Sequence, residues 1–502
     1  MTAREAYDQL RTHHREAVLF GSMGALMGWD QRVMMPKNGS KFRAEQMATL
    51  AGFLHDKETD PRLGDWLARC EGSELTTDPT SVEAVNIRWW RREFDQATKI
   101  PKSLAVEMAR VTSLAEDEWA ESRAQSDFKR FEPWLSQIVD LTKQAAECLG
   151  YEDEPYDALL DRFEPGMTAK EIERLFQPLR EYTPKLVQRI QDAPKKPNTS
   201  ILNRHFPVQD QVQFSREAAA ALGFDFDSGR LDPTVHPFAC RVTPGDTRIT
   251  TRYYEDQFNP SFFGTIHETG HALYEMGLLE DHFGEPMGES VSLGIHESQS
   301  RMWENVVARS RPFWEKFFPI AQQRFSALSD VSLDDFVFAV NAVKPSAIRV
   351  EADEVTYNLH IMLRFELEVA LIRGDIAARD MAEAWKDKFE TYMGFRPPND
   401  KEGALQDVHW SGGMIGYFPT YSLGNLYGAM FYNQALEDLG DLDSMYRRGE
   451  FSPLLDWLRK KIHNQGCRYD AKKLVEHVTG KPLSPQPLID YMEAKFSALY
   501  GL

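Results

Sequence analysis

Cysteine is scarce: the 502-residue chain has four, Cys70, Cys148, Cys240 and Cys467, far apart and without a Cys-x-x-Cys pair. Neither a disulfide framework nor a thiolate zinc site is implied, and a reduced compartment fits. Positive charge is also short, with 58 Lys plus Arg against 77 Asp plus Glu and a net charge of −19. Such a surface repels nucleic acid and anionic membranes, and no basic patch of useful length offsets it. No stretch approaches the roughly 20 apolar residues that span a bilayer. The first residues, Met1-Thr2-Ala3-Arg4-Glu5-Ala6, lack the apolar core of a signal peptide. Internal repeats, low-complexity linkers and composition shifts are missing too. The expectation is a cytoplasmic globular protein, residues 1–502 forming one large body with a cleft, with neither nucleic acid nor membrane as partner.

What is present is mostly helical. Apolar residues recur at spacings of three and four, and Gly and Pro fall between the runs, as around Glu45 to Leu54, Val82 to Phe94, Leu104 to Trp119 and Phe131 to Leu149. Thr168 followed by Glu171 makes a capping box that starts another helix. One segment differs: from Phe238 to Tyr254, β-branched and aromatic residues flank a Pro244-Gly245-Asp246 turn signal, which reads as a hairpin or small sheet. Further on, the pattern from Glu351 to Arg373 is apolar on most sides and predicts a central helix. Residues Asp400 to Tyr421 read as a Gly-rich aromatic loop, the kind that carries function more often than packing. The fold class expected is mainly α, with a small β-sheet just before one particular helix.

That helix contains His267-Glu268-Thr269-Gly270-His271. Residues four apart share a helix face, so His267 and His271 can grip one metal ion with Glu268 beside it. The pattern arises by chance in on the order of one or two per cent of chains this long, so context decides. Phe262, Phe263, Ile266, Ala272 and Leu273 anchor the segment in a core, and Pro260 stands near its start.

Catalytic zinc takes three protein ligands and leaves a position for water, so a third donor lies outside the helix. Spacing leaves three choices. Glu275 shares the face of His271 but lies a turn further along the axis. Glu297 comes on the next helical segment, from which an antiparallel neighbour aims a carboxylate back at the imidazoles. His296 competes one residue earlier, about 100° around that helix. With such a site filled, Glu268 takes the proton of a metal-bound water and delivers it to a leaving amine: metal-assisted hydrolysis of an amide.

Six pieces of sequence then stand in a telling order: Trp29-Asp30-Gln31 with Met35-Pro36, Asp246-Thr247-Arg248-Ile249-Thr250, His267 to His271, His296-Glu297-Ser298-Gln299, Ile348-Arg349-Val350-Glu351-Ala352-Asp353, and Gly403 through Gln406-Asp407-Val408-His409-Trp410. Over nearly its full length the chain resembles the carboxypeptidase Taq family of metallocarboxypeptidases. Arg32-Val33 departs from the usual residues before Met-Pro, in a segment not tied to the chemistry. The resemblance implies a helical two-halved cleft architecture like that of neurolysin and angiotensin-converting enzyme, and a homodimer. It also implies release of single residues from peptide C-termini with broad specificity, and Zn²⁺ or Co²⁺ as the metal. It puts the third ligand on Glu297.

A carboxypeptidase has to recognise a free α-carboxylate, and the planar fork of arginine suits it. Arg248 and Arg349 are the candidates; the plainer alternative for each is a structural ion pair, Arg349 with Asp353 or Asp246. By the resemblance, His409 faces the scissile carbonyl and donates to the developing oxyanion; Asp407, two residues earlier, is the candidate to hold its tautomer. Tyr417 and Tyr421 either share that role or pack the loop, and His296 supports the metal site or contacts substrate. Peptides with a free C-terminus are the expected partners. The alternatives are an oligopeptidase or dipeptidyl carboxypeptidase using the same site, or a catalytically silent peptide-binding protein.

Overall fold

Helix caps and a single glycine turn explain much of how the chain is divided. The computed structural model describes all residues, Met1–Leu502, as twenty α-helices and one three-stranded sheet. Thr2 with Glu5 and Thr168 with Glu171 both form complete capping boxes, starting Ala3–Val33 and Ala169–Asp192. The helices Ser40–Glu58, Val82–Lys99, Lys102–Gln125 and Phe128–Leu149 contain the four runs read from periodicity. The central helix is shorter at its start than the apolar pattern suggests and spans Tyr357–Arg373. Residues Arg349–Glu351 form a separate 3₁₀ turn, and the Asp353 carboxylate accepts from Val355 and Thr356 N–H, which begins the helix afresh.

The sheet has the order β1 (Gly229–Pro233), β3 (Asp246–Thr251), β2 (Ala239–Thr243). β2 and β3 form the expected hairpin, turning at Gly245 with φ 79°, while β1 pairs with β3 in parallel. Side chains alternate across β3. Ile249 packs against Ala272 of the helix Asn259–Gly277, and the Thr251 hydroxyl donates to the Ser261 carbonyl at 3.1 Å. The opposite face meets the first helix, where Trp29 lies against Arg248.

Helix Asn259–Gly277, which carries both histidines, is held by a mass of aromatic rings. Phe262 stacks on Phe214 at 5.2 Å and on Phe258 at 5.4 Å, and meets Trp314 at 5.1 Å. Each buried phenylalanine stabilises the fold by about 1.5–3 kcal/mol. Beside it runs Leu293–Arg301, which widens into π-helical turns over Met302–Val307. Helix Pro419–Leu439 packs on Leu293–Arg301 at Gly424, where a side chain would collide with Glu297, and at Gly428, where it would crowd the Ser298 carbonyl at 3.2 Å. One continuous core of 103 buried residues runs from Val85 to Tyr500; the nine-residue cluster that includes Tyr7, Leu67 and Trp90 is separate, so the N-terminal helices attach as a satellite.

Candidate metal centre

Three ligand atoms converge where helices Asn259–Gly277 and Leu293–Arg301 face each other. His271 Nε2 lies 3.4 Å and His267 Nε2 3.8 Å from the same oxygen of Glu297, and all three ligand atoms lie within 4.8 Å of one another. Gly270 makes the approach possible: a Cβ there would sit 2.6 Å from Ser300 Cα and 2.7 Å from the Gln299 carbonyl. The Glu297 helix is set at its start by Ser292, whose hydroxyl accepts from Ile295 N–H. The wholly buried Glu164 adds acceptors there for Gly294 N–H at 3.0 Å, the Ser292 hydroxyl at 3.0 Å and the Tyr427 hydroxyl at 2.8 Å.

Each imidazole is oriented from behind. His267 Nδ1 meets Glu304 at 2.9 Å, and Glu304 stands in the π-helical turns Met302–Val307, seven residues beyond Glu297. His271 Nδ1 meets His296 Nδ1 at 2.6 Å, and His296 Nε2 meets Glu275 at 2.7 Å. Glu275 in turn lies 3.6 Å from Arg241. With both Nδ1 atoms engaged, both Nε2 atoms are left to the convergence point, the arrangement that metal-binding histidines adopt. Glu297 is fixed through its other oxygen by Arg301 Nε at 2.8 Å, and Arg301 lies 3.9 Å from the Tyr357 ring.

Charge at the centre favours a cation. Burial opposes ionisation of Glu297, but His267, Arg301 and His271 outweigh it and hold the carboxyl well below its usual range. Burial likewise opposes charge on His267, yet Glu297 and Glu304 push it up to about 9. Glu268 is 6 % exposed and has no hydrogen-bond or ion-pair partner; burial pushes its carboxyl up to about 7.

Around this centre the other expected residues separate into two groups. His409, Tyr417 and Tyr421 come together: His409 stacks on Tyr417 at 5.5 Å, and Tyr417 meets Tyr421 edge-on at 5.2 Å. Tyr421 sits in the first turn of helix Pro419–Leu439, where the sequence pattern reads as loop. Burial drives His409 down to about 3, so its ring is neutral and keeps an N–H to donate. Asp407 is 3.9 Å from His409 Nδ1, too far to hydrogen-bond it. Asp407 instead receives Nε and Nη2 of Arg349, at 3.1 and 2.8 Å, while Arg349 Nη1 donates to the Tyr357 hydroxyl at 3.2 Å. The ion pair of Arg349 is therefore with Asp407, not with Asp353 or Asp246.

Arg248 belongs elsewhere. Its Nε and Nη2 each donate to Asp246 at 2.8 Å, and its guanidinium lies 4.2 Å from the Trp29 ring. Strand alternation puts it on the face of β3 turned away from the histidine helix. His296 has both ring nitrogens engaged by His271 and Glu275, so it supports a ligand and has none left for substrate. Sequence reasoning did not single out Arg301, Glu304, Glu164 or Tyr357; Arg301 does fall at i+4 from Glu297, a spacing that could have flagged it.

A cavity of about 1040 Å³ opens beside the centre, between the first helix, helix Lys102–Gln125, Val242 of β2, Glu275 and the Gly412–Gly413 tip of the His409 loop. None of the three ligands lines this cavity, which reaches the site through Glu275 and the loop tip; a larger hollow of about 1220 Å³, near Arg180 and Lys388, touches neither and plays no part here.

The sequence profile of the family described as Carboxypeptidase Taq (M32) metallopeptidase matches residues 9–496. Among curated proteins, "Thermostable carboxypeptidase 1" of Thermus thermophilus is 53% identical, with 100% of each chain covered. "Carboxypeptidase 1" of Bacillus subtilis is 41% identical over 99% of each. Among solved structures, the M32 carboxypeptidase from Deinococcus radiodurans R1 superposes with a TM-score of 0.96 at 38% identity, covering 99% of this chain and 100% of that one.

Proposed function

Since the chain belongs to the carboxypeptidase Taq (M32) family and is a metal-dependent carboxypeptidase, we propose that it releases single residues, with broad specificity, from peptide C-termini, using Zn²⁺ held by His267, His271 and Glu297. The observation that carries this reading is the convergence of two imidazole nitrogens and one carboxylate oxygen beside an unpartnered Glu268. Two nitrogens and an oxygen suit Zn²⁺, and Co²⁺ accepts the same donors. When bound, zinc polarises the scissile carbonyl and acidifies a water molecule.

The remaining work falls to side chains. Glu268 takes the proton from the attacking water and returns it to the departing amine, a task suited to a carboxyl near neutrality. His409 donates its N–H to the carbonyl oxygen as that atom gains charge, with the Tyr417 and Tyr421 hydroxyls alongside. Arg349 takes the substrate α-carboxylate: three of its five N–H donors are used by Asp407 and Tyr357, leaving two. Arg248, paired with Asp246 on the far face of the sheet, is the weaker choice.

The size of the neighbouring cavity favours one second reading, release of dipeptides or internal cleavage by the same site. We also propose a cytoplasmic homodimer acting as one catalytic body; the four free cysteines suit a reduced compartment.

The test is product identification by mass spectrometry, on peptides of several lengths with a free C-terminus and on their C-terminal amides. Stepwise loss of one residue, with the amides resistant, is expected. Equal rates on acid and amide, or internal fragments, would overturn exopeptidase action.

A further inference from the structure

Glu368, on the central helix, is fully buried and accepts four hydrogen bonds. One carboxylate oxygen receives Arg364 Nε at 2.8 Å and Trp410 Nε1 at 2.9 Å. The other receives the Tyr156 hydroxyl at 2.9 Å and the Gly416 N–H at 3.1 Å. Two of the four donors, Trp410 and Gly416, belong to the loop that carries His409, and they lie on either side of Gly412–Gly413.

Arg364 completes the hold. It is also fully buried, and its guanidinium lies 4.1 Å from the Trp410 ring centroid and 4.0 Å from that of Phe418. His409 precedes Trp410 in the chain, and Tyr417 stands between Gly416 and Phe418. His409 itself has no polar anchor, because Nδ1 is buried without a hydrogen-bond partner. Its ring is placed by stacking on Tyr417 and by the edge of Phe418 at 4.8 Å. The imidazole therefore sits where Trp410, Tyr417 and Phe418 put it, and the Arg364–Glu368 pair holds Trp410 and Phe418 directly and Tyr417 through its neighbour Gly416. Well-packed apolar residues often replace a buried ion pair without loss of stability, so a pair this deep calls for another reason.

We propose that Glu368, with Arg364 as its counter-ion, is the positioning residue for His409, pinning both flanks of the loop so that the imidazole N–H meets the substrate carbonyl oxygen. The proposal rests on the role given to His409 above.

The test is a double-mutant cycle on the full-length, metal-loaded enzyme, with Glu368→Gln and Tyr156→Phe each made alone and with His409→Asn. Glu368→Gln keeps the shape but turns an acceptor into a donor. It is expected to lower kcat about 10–100-fold, with KM within about threefold and metal stoichiometry unchanged. Tyr156→Phe deletes one donor and keeps its ring, so a fall in kcat of about threefold or more is expected, and it decides the matter if Glu368→Gln does not fold. In the His409→Asn background neither substitution is expected to cost more than about twofold, because residues acting as a unit are not additive. Multiplicative losses, or an unchanged kcat in the single variants, overturn the link to His409. Full activity of His409→Asn alone is a different failure: it removes the role of His409, and the positioning role with it.

Discussion

Gly424 lies so close to Glu297 that a Cβ added to it would meet both Cβ and Cγ of Glu297 at 2.7 Å. The helix that carries Glu297, the proposed third ligand, is thus pressed into place by a neighbour without a side chain. Gly424→Ala should push Glu297 off the convergence point, weaken metal binding about tenfold or more and cost about 1–3 kcal/mol from overpacking. Metal titration and thermal unfolding check both. Gly52→Ala, where the added Cβ meets nothing within 4 Å, should instead be neutral or stabilise the helix by up to about 1 kcal/mol.

Glu304 fixes the ring of His267 with one carboxylate oxygen, while the other receives Arg309 Nη2 at 3.2 Å. In Glu304→Gln the amide loses the charge that Arg301 and Arg309 pair with, and metal affinity should fall about 10–100-fold. Competition with a chelator measures this; unchanged metal retention would count against orientation by Glu304.

Glu164 provides a pH test. Burial pushes its carboxyl up to about 7 despite donors from Tyr427, Gly294 and Ser292. The folded value lies above the unfolded one, so its stabilising contribution is complete below about 4.5 and is lost as pH rises through about 7, on the order of 3 kcal/mol in all. Glu164→Gln should therefore gain on the wild type between pH 5 and pH 8 in denaturant unfolding. A constant difference between the two proteins across that range would contradict the assignment.

The two arginines should behave differently. Arg248→Ala leaves the histidine face of the sheet untouched, so KM should change less than about twofold, with about 0.5–1 kcal/mol lost from the Trp29 contact. Arg349→Lys keeps the charge beside Asp407 but loses the fork, and KM for free-acid peptides should rise about tenfold or more. Steady-state kinetics on matched acid and amide peptides separates the outcomes.

Much of this was legible before the structure. The His267–His271 face, the hairpin before it and the run of helices follow from periodicity and turn chemistry, which are local. Glu297 was one of three spacing choices until the surrounding motifs were weighed. The supports were legible only in part. Arg301 and Glu304 stand four and seven residues beyond Glu297, on one face of an ordinary helix, so their nearness to Glu297 could be read from spacing; that Glu304 meets His267 is set by how the two helices pack. Arg349 finds Asp407 58 positions away, and Glu164 reaches Ser292 and Gly294 across 128 and 130 positions. Such pairings are set by packing, and a pattern read within one helix cannot show them. Gly424 carried no signal beyond being a glycine, because its role is the room it leaves for Glu297.

The proposed reaction turns on Glu268 moving protons beside a metal held by three other residues, and Glu268→Gln removes that one function while leaving the ligands in place. The measurement is the rate of release of the C-terminal residue, made together with metal stoichiometry on the same sample. A fall of about 10²–10⁴-fold with metal content unchanged is expected. Turnover near the wild-type rate with metal in place would contradict it.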